Sequence, residues 1–525
     1  NTAIGARAMK LATTAEYNTS LGYNALGGAT LTGDYNIGIG YTAGNAMTSG
    51  IRNTLTGSLA GDALTTGSYN TVLGSHALSG ETGGGANTAV GYAALNALNV
   101  NNLGYNVAVG HEAGAAMTTG VQNTLLGSRT GDALTTGSYN IAIGMDALTT
   151  EDTGSRSVAI GTNALFNQNY DGDAYNVAIG MSAGSQVTSG IQNTIIGGSA
   201  GDAITTGSGN VAIGFQALSA EDTHGTNTAI GYRALKVQDA GANAHNVAVG
   251  YNAGVSVSTG AYNTLLGGLA GDSLTSGAYN VVVGYNALAT EDAHGRNIAI
   301  GTNALTTLDA GADAYNVAIG HNAGLSMTTG IRNNLIGGLA GDALTTGQGN
   351  EVLGYNALSA TTEGSYNVAI GQSVLSTNIL GSKSVGVGFN ALGSQNPASA
   401  VDMLNTAVGN QAGTAVTTGI QNTLIGAQAG DALTTAQYNV AVGTYALTNE
   451  DTGSRGTAIG FGALSQQNFD GEAYNVAVGY AAGNVITTGT LNTIMGSLAG
   501  DALTTGSRNV AIGYSALGQE DEHSY

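Results

Sequence analysis

Asn106-Val107-Ala108-Val109-Gly110 and, seventeen residues on, Asn123-Thr124-Leu125-Leu126-Gly127 decide how this chain folds, because the same pentapeptide recurs from one end to the other. Copies start at 1, 18, 36, 53, 70 and 87 and continue to 509, thirty in all. Of the twenty-nine spacings, twenty-two are 17 residues, five are 19, one is 18 and one is 21, the last running from 384 to 405. Starts at 36, 106, 176, 246 and 316 mark a 70-residue unit of four repeats. Self-similarity at a fixed short period is the signature of stacked solenoid architectures. Residues 1–525 therefore read as one continuous repeat array with an irregular insertion near 384–405, and as a fragment of a longer chain.

Each repeat is one rung, and its slots keep a constant character. Slot one is Asn, as in Asn36 and Asn106, failing only at Ser157, Ser384 and Gly456. Slot five is always Gly, as in Gly40 and Gly110, and slot eight is Ala, as in Ala43 and Ala113, except at Thr130 and Val374. A constant Gly fits a tight bend or a close backbone approach with no room for a Cβ. A constant Asn fits a turn whose amide bonds backbone or the identical amide one rung away, as in Asn ladders.

Slots two to four read as a short strand, with Val, Ile, Thr and Leu at slots two and four. Slot three is Ala in most rungs and Leu or Ile in every fourth, at Leu55, Leu125, Ile195, Leu265 and Leu335, then Leu424 and Ile494. A strand apolar on both sides must be buried on both. With Val and Ile pointing into the coil, slot three becomes an outer stripe, and at ~4.8 Å per rung thirty rungs make it roughly 140 Å long. Monomers rarely expose so large an apolar patch. The stripe is accordingly expected to be a seam against other copies of the chain, with Leu55, Leu125, Ile195, Leu265 and Leu335 setting its register. The polar Thr, Ser, Gly and Asp segments after slot eight read as a second short strand or turn, and no helical period is sustained. The expected fold is all-β, a parallel solenoid of about thirty coils.

The repeats Asn87-Thr88-Ala89-Val90-Gly91-Tyr92-Ala93-Ala94-Leu95 and Asn227-Thr228-Ala229-Ile230-Gly231-Tyr232-Arg233-Ala234-Leu235 resemble the head repeats of trimeric autotransporter adhesins, and equally those of bacteriophage tail-fibre proteins. The resemblance covers essentially the whole chain. It implies a left-handed β-roll in each chain, three chains around one axis, and an extracellular, cell-surface or virion-borne fibre that projects or performs adhesion. The adhesin-head repeat is usually shorter, with a Ser after the Asn that is missing here.

Composition narrows the functional classes. The 525 residues hold 86 Gly, one Pro, no Cys and no Trp, with 12 basic against 33 acidic side chains and a net charge of −21. Such a surface neither neutralises a phosphate backbone nor binds anionic lipid, so nucleic-acid and membrane partners are not expected. Without Cys there is no disulfide, thiolate metal site or thiol catalysis. No run of 18 apolar residues is long enough to span a bilayer as a helix.

Four residue sets could carry chemistry. The recurring Gly-Asp pairs at Asp62, Asp132 and Asp202, and on to Asp501, read either as calcium ligands, as in glycine-rich calcium-binding repeats, or as turn caps. Glu151-Asp152, Glu221-Asp222, Glu291-Asp292 and Glu450-Asp451, with Asp171, Asp173, Asp309, Asp313, Asp470 and Glu472, read as solvated acidic loops, Asp171-Gly172-Asp173 also as a calcium pair. The histidines, among them His76, His111, His224 and His245, read as occupying unrelated slots, with no metal cluster inside one chain. Tyr35, Tyr69, Tyr105, Tyr139 and Tyr175, each before the repeat Asn, form an aromatic column that covers a coil edge or stacks on sugars. The expected protein is a non-enzymatic structural fibre with no cofactor other than calcium, a homotrimer that joins end to end or binds a cell-surface or glycan receptor. The alternatives are an ice-binding or a calcium-dependent secreted solenoid.

Overall fold

The computed structural model describes residues 1–519, in two compact units that divide between Tyr262 and Asn263. The first carries fifteen three-residue strands from Thr2–Ile4 to Val247–Val249, and the second fifteen from Thr264–Leu266 to Val510–Ile512, with two further two-residue strands, Gly381–Ser382 and Val401–Asp402. The architecture is an all-β parallel solenoid of about thirty turns roughly 17 residues apart, with no helix among the described residues.

Within each unit the three-residue strands occupy slots two to four and pair in parallel, in register, with the neighbouring rung, as Val107 with Thr124, Ala108 with Leu125 and Val109 with Leu126. The rest of the coil is turn, yet it is held by the same rung-to-rung exchange. The Glu112 amide donates to the Tyr92 carbonyl at 2.8 Å and the Thr118 amide to the Thr135 carbonyl at 2.8 Å. Slot five must be Gly for two reasons. Its φ is +133° at Gly40 and +149° at Gly110, and a Cβ there would sit 2.3 Å and 2.0 Å from the carbonyl oxygen of the next slot-five Gly.

The slot-one Asn is buried and fully used. The Asn123 Oδ1 accepts the Asn140 backbone N–H at 2.9 Å, while its Nδ2 donates to the Gly137 carbonyl at 2.9 Å and to the Asn106 Oδ1 at 3.3 Å. Both bonding modes expected of an Asn ladder are present. The exceptions have a substitute. At Ser157 the buried Gln168 of the same rung donates to the Ser hydroxyl at 2.8 Å and accepts from Asn176 at 2.9 Å. Gln395 does likewise between Ser384 and Asn405, and Gln467 bonds Asn475 beside Gly456.

The direction of the strand's two faces is the reverse of the sequence reading. Leu55, Leu125, Ile195, Leu265 and Leu335 are 0 % exposed within their own coil, so they are core residues and not an outer seam. Slots two and four face outward instead. The cause is a size complement between slots three and nine. In rungs with Leu or Ile at slot three, slot nine is Gly, and the leucines of neighbouring rungs fill the space beside a slot-nine Gly. A Cβ on Gly114 would lie 2.7 Å from Leu125 Cδ1 and 3.1 Å from Leu95 Cδ2. The same trade occurs at Val374, the enlarged slot eight, whose Cγ1 takes the space beside Gly386 in the next rung's slot three. The four-rung unit is thus a packing unit. Leu125→Ala is expected to cost about 3 kcal/mol through the cavity it leaves, read as a lower denaturant midpoint, and to leave the mass in solution unchanged.

Candidate functional site

Outward strand positions build the largest distinctive surface of each unit. Slot four is Ile, Val, Leu or Met in every three-residue strand except Thr54–Thr56, and slot two is Thr, Val or Ile except at Asn334 and Glu351. These side chains are partly exposed, reaching 39 % at Val107 and 44 % at Leu126. Glu351 is the single charged residue among the outward strand positions, and Asn334 of the preceding strand donates to it at 2.8 Å. Fifteen rungs at ~4.8 Å and a strand width of roughly 10 Å give each unit about 700 Å² of strand face, aliphatic along slot four and Thr, Val or Ile along most of slot two. Soluble monomers rarely expose contiguous apolar patches larger than a few hundred Å².

Aromatic side chains precede or follow this strand in many of the coils. In slot six, Tyr232 stacks on Tyr251 with ring centroids 5.3 Å apart. Before the Asn, Tyr17 stacks on Tyr35 at 4.9 Å, and Arg156 lies between Tyr139 and Tyr175 at 4.8 and 5.9 Å. Arg296 and Arg455 repeat that sandwich and pair with Asp313 and Glu472, both at 2.8 Å. These three cations are thereby engaged by consecutive rungs of the same chain. Tyr35, Tyr69, Tyr105, Tyr139 and Tyr175 remain about half exposed, as a column at a coil edge should.

The calcium candidates do not converge. Asp171 accepts the Thr153 hydroxyl at 2.9 Å, and Asp173 is held by Arg156 at 2.9 Å and Tyr175 at 3.2 Å. Asp62, Asp132 and Asp202 stand in separate rungs, half-buried. One oxygen of Asp62 and one of Asp132 is buried with no hydrogen-bond partner, and burial pushes all three carboxyls above the usual range.

The glutamates read as members of solvated loops are core residues. Glu151, Glu221, Glu291 and Glu450 are 0 % exposed and fill slot twelve, as does Glu81, a slot that other rungs give to Leu134, Met117 or Ile204. Each is bonded inward. Glu151 accepts the Gly154 backbone N–H at 2.7 Å and the Gln168 amide at 2.9 Å, and Glu450 accepts Gly453 and Gln467 at the same distances. Desolvation dominates nonetheless and raises the carboxyls of Glu81, Glu151 and Glu450; that of Glu221 rises to about 7. A carboxyl raised on folding binds its proton more tightly in the native state, so its stabilising contribution is complete below the unfolded value and is lost as pH climbs through the folded one. Chelator-treated protein is therefore expected to melt several degrees higher at about pH 5 than at about pH 8. Differential scanning calorimetry checks the direction.

The histidine reading also changes. His224 and His294 occupy the same slot fifteen, 70 residues apart, and each joins a compact group, Glu221, Asp222, His224 and Asp239 in one and Glu291, Asp292, His294 and Asp309 in the other. Aligning slots across the four-rung unit would have shown this. No helix among the described residues is long and apolar enough to cross a membrane. No protein-family model and no curated protein matches the chain.

Proposed function

We propose that this chain is a non-enzymatic structural protein that assembles with copies of itself through the outward strand face. Three copies form the assembly, as the adhesin-head resemblance implies, in an extracellular, cell-surface or virion fibre that projects or performs adhesion. The supporting observation is the nearly uncharged aliphatic surface in each unit of a chain whose net charge is −21. Charge is kept off this face, whose rung spacing a second copy of the chain would match along its length. About 700 Å² per unit approaches the ~800 Å² that each partner gives to a standard stable interface. The half-exposed tyrosines offer stacking faces to a glycan receptor.

An enzymatic role has little support. A recess lined by Asn99, Val100, Asn101, Asn102, Thr119 and Val121 carries no titratable side chain. Ice binding is disfavoured because Thr54–Thr56 alone among the strands places Thr at both outward positions. Calcium dependence is disfavoured by the scattered partners of Asp171 and Asp173.

The triple variant Ile143→Lys, Ile179→Lys, Ile213→Lys tests the face. Its changes sit in alternate rungs on outward positions, so the coil is retained while three cations enter the contact. The solution mass is expected to fall from three chains to one with the β circular dichroism spectrum preserved. A trimer unaffected by these charges would overturn the assignment of this face as the contact.

A further inference from the structure

Rungs with a buried slot-twelve Glu are of two kinds. After Glu81, Glu151 and Glu450, slot fifteen is Gly84, Gly154 or Gly453, and slot thirteen of the next rung is Asn99, Asn169 or Asn468. After Glu221 and Glu291, slot fifteen is His224 or His294, and the next slot thirteen is Asp239 or Asp309. His and Asp arrive together, twice, once in each unit. In both groups one ligand atom from each of the four residues lies within 4.8 Å of all the others.

Two further features point to a ligand. The His294 Nδ1 is buried without a hydrogen-bond partner, 3.4 Å from the Glu291 carboxylate. Its counterpart, His224 Nδ1, stands 3.7 Å from Glu221 and 3.0 Å from the Thr223 hydroxyl. Each group also places three carboxylates together around one imidazole, and among the described residues no Lys or Arg forms an ion pair with any of them. Carboxylates gathered this way around a buried Glu need a counter-charge, and the remaining donor is a nitrogen.

We propose that Glu221, Asp222, His224 and Asp239, and likewise Glu291, Asp292, His294 and Asp309, each bind a divalent transition-metal ion of the zinc class. An imidazole with carboxylates suits such an ion, whereas calcium takes an all-oxygen shell. Three ligands come from one rung and the fourth from the next, so the ion clips consecutive coils together. The buried Glu is fixed by its bonds to backbone N–H groups, from His224 in the first group and from His294 and Ala310 in the second. Exposed Asp239 and Asp309 and the partly exposed histidines are free to close onto the ion. This inference does not depend on the self-assembly proposed above.

The test uses the full chain stripped with chelator and titrated with zinc chloride in a calorimeter, in millimolar calcium chloride. Two double variants are compared with the parent, His224→Ala with His294→Ala, and Asp239→Asn with Asp309→Asn. The second installs the residue that the Glu81, Glu151 and Glu450 rungs carry naturally, so the coil is preserved. Each double variant is expected to bind two zinc equivalents per chain fewer than the parent, with mass and circular dichroism unchanged. Absence of zinc uptake by the parent, uptake abolished by calcium, or equal uptake by parent and both variants would overturn the proposal.

Discussion

Gly110→Ala is expected to open the coil around its rung and to cost more than about 4 kcal/mol of local stability, combining the ~1–3 kcal/mol of a strained backbone with the ~1–3 kcal/mol or more of overpacking. The Gly110 φ of +149° is foreign to residues with a Cβ, and the added carbon would sit 2.0 Å from the Gly127 carbonyl oxygen. Neither term can relax alone, because Gly127 makes the same demand on Gly144, where its own Cβ would meet a carbonyl oxygen at 2.5 Å. Native-state hydrogen exchange reads the effect as lost protection of the amides in Val107–Val109 and Thr124–Leu126. Gly241 is the internal control. Its φ is +67° and nothing lies within 4 Å of its Cβ, so Gly241→Ala is expected to cost about 1 kcal/mol.

The second large effect is expected of Asn123→Ala, at about 3–5 kcal/mol. The substitution leaves the buried Asn140 N–H and the Gly137 carbonyl without partners, at ~1–3 kcal/mol each, and removes the amide's own packing. Ser157→Ala should cost only about 1 kcal/mol, because it removes a hydroxyl that Gln168 bonds at 2.8 Å while the Gln168 bond to Asn176 survives. Urea titrations of the two variants, followed by circular dichroism, check the contrast. Comparable losses would mean that the Asn ladder contributes no more than one ordinary hydrogen bond per rung.

The rung period, the strand at slots two to four and the demands for Asn and Gly were legible because each is repeated thirty times and each follows from local backbone chemistry. Which way the strand faced was not. A three-residue strand such as Val107–Val109 offers an Ala on one side and two Val on the other, and hydrophobicity alone favours putting the larger pair inside. The deciding signal was volumetric: Leu125 at slot three goes with Gly131 at slot nine, and Ala142 with Leu148, a compensation that only a shared interior requires. Glu151 was misread for a related reason. An acidic residue next to Asp152 suggests a solvated loop, whereas slot alignment puts it level with Leu134 and Met117. The Glu221 and Glu291 groups were hidden because their histidines are few and their fourth member lies one rung away in sequence but adjacent in space.

The exposed, largely aliphatic strand face is the physical basis of the proposed self-assembly. Burying about 700 Å² of it per unit at ~25 cal/mol per Å² is worth well over 10 kcal/mol in gross transfer terms before the costs of association. The most direct measurement is the mass of the full-length chain in solution by light scattering at low micromolar concentration. A mass of three chains, stable on dilution, is the expected result. A soluble species with the mass of one chain would contradict it, because the strand face would then be exposed to water in the native protein.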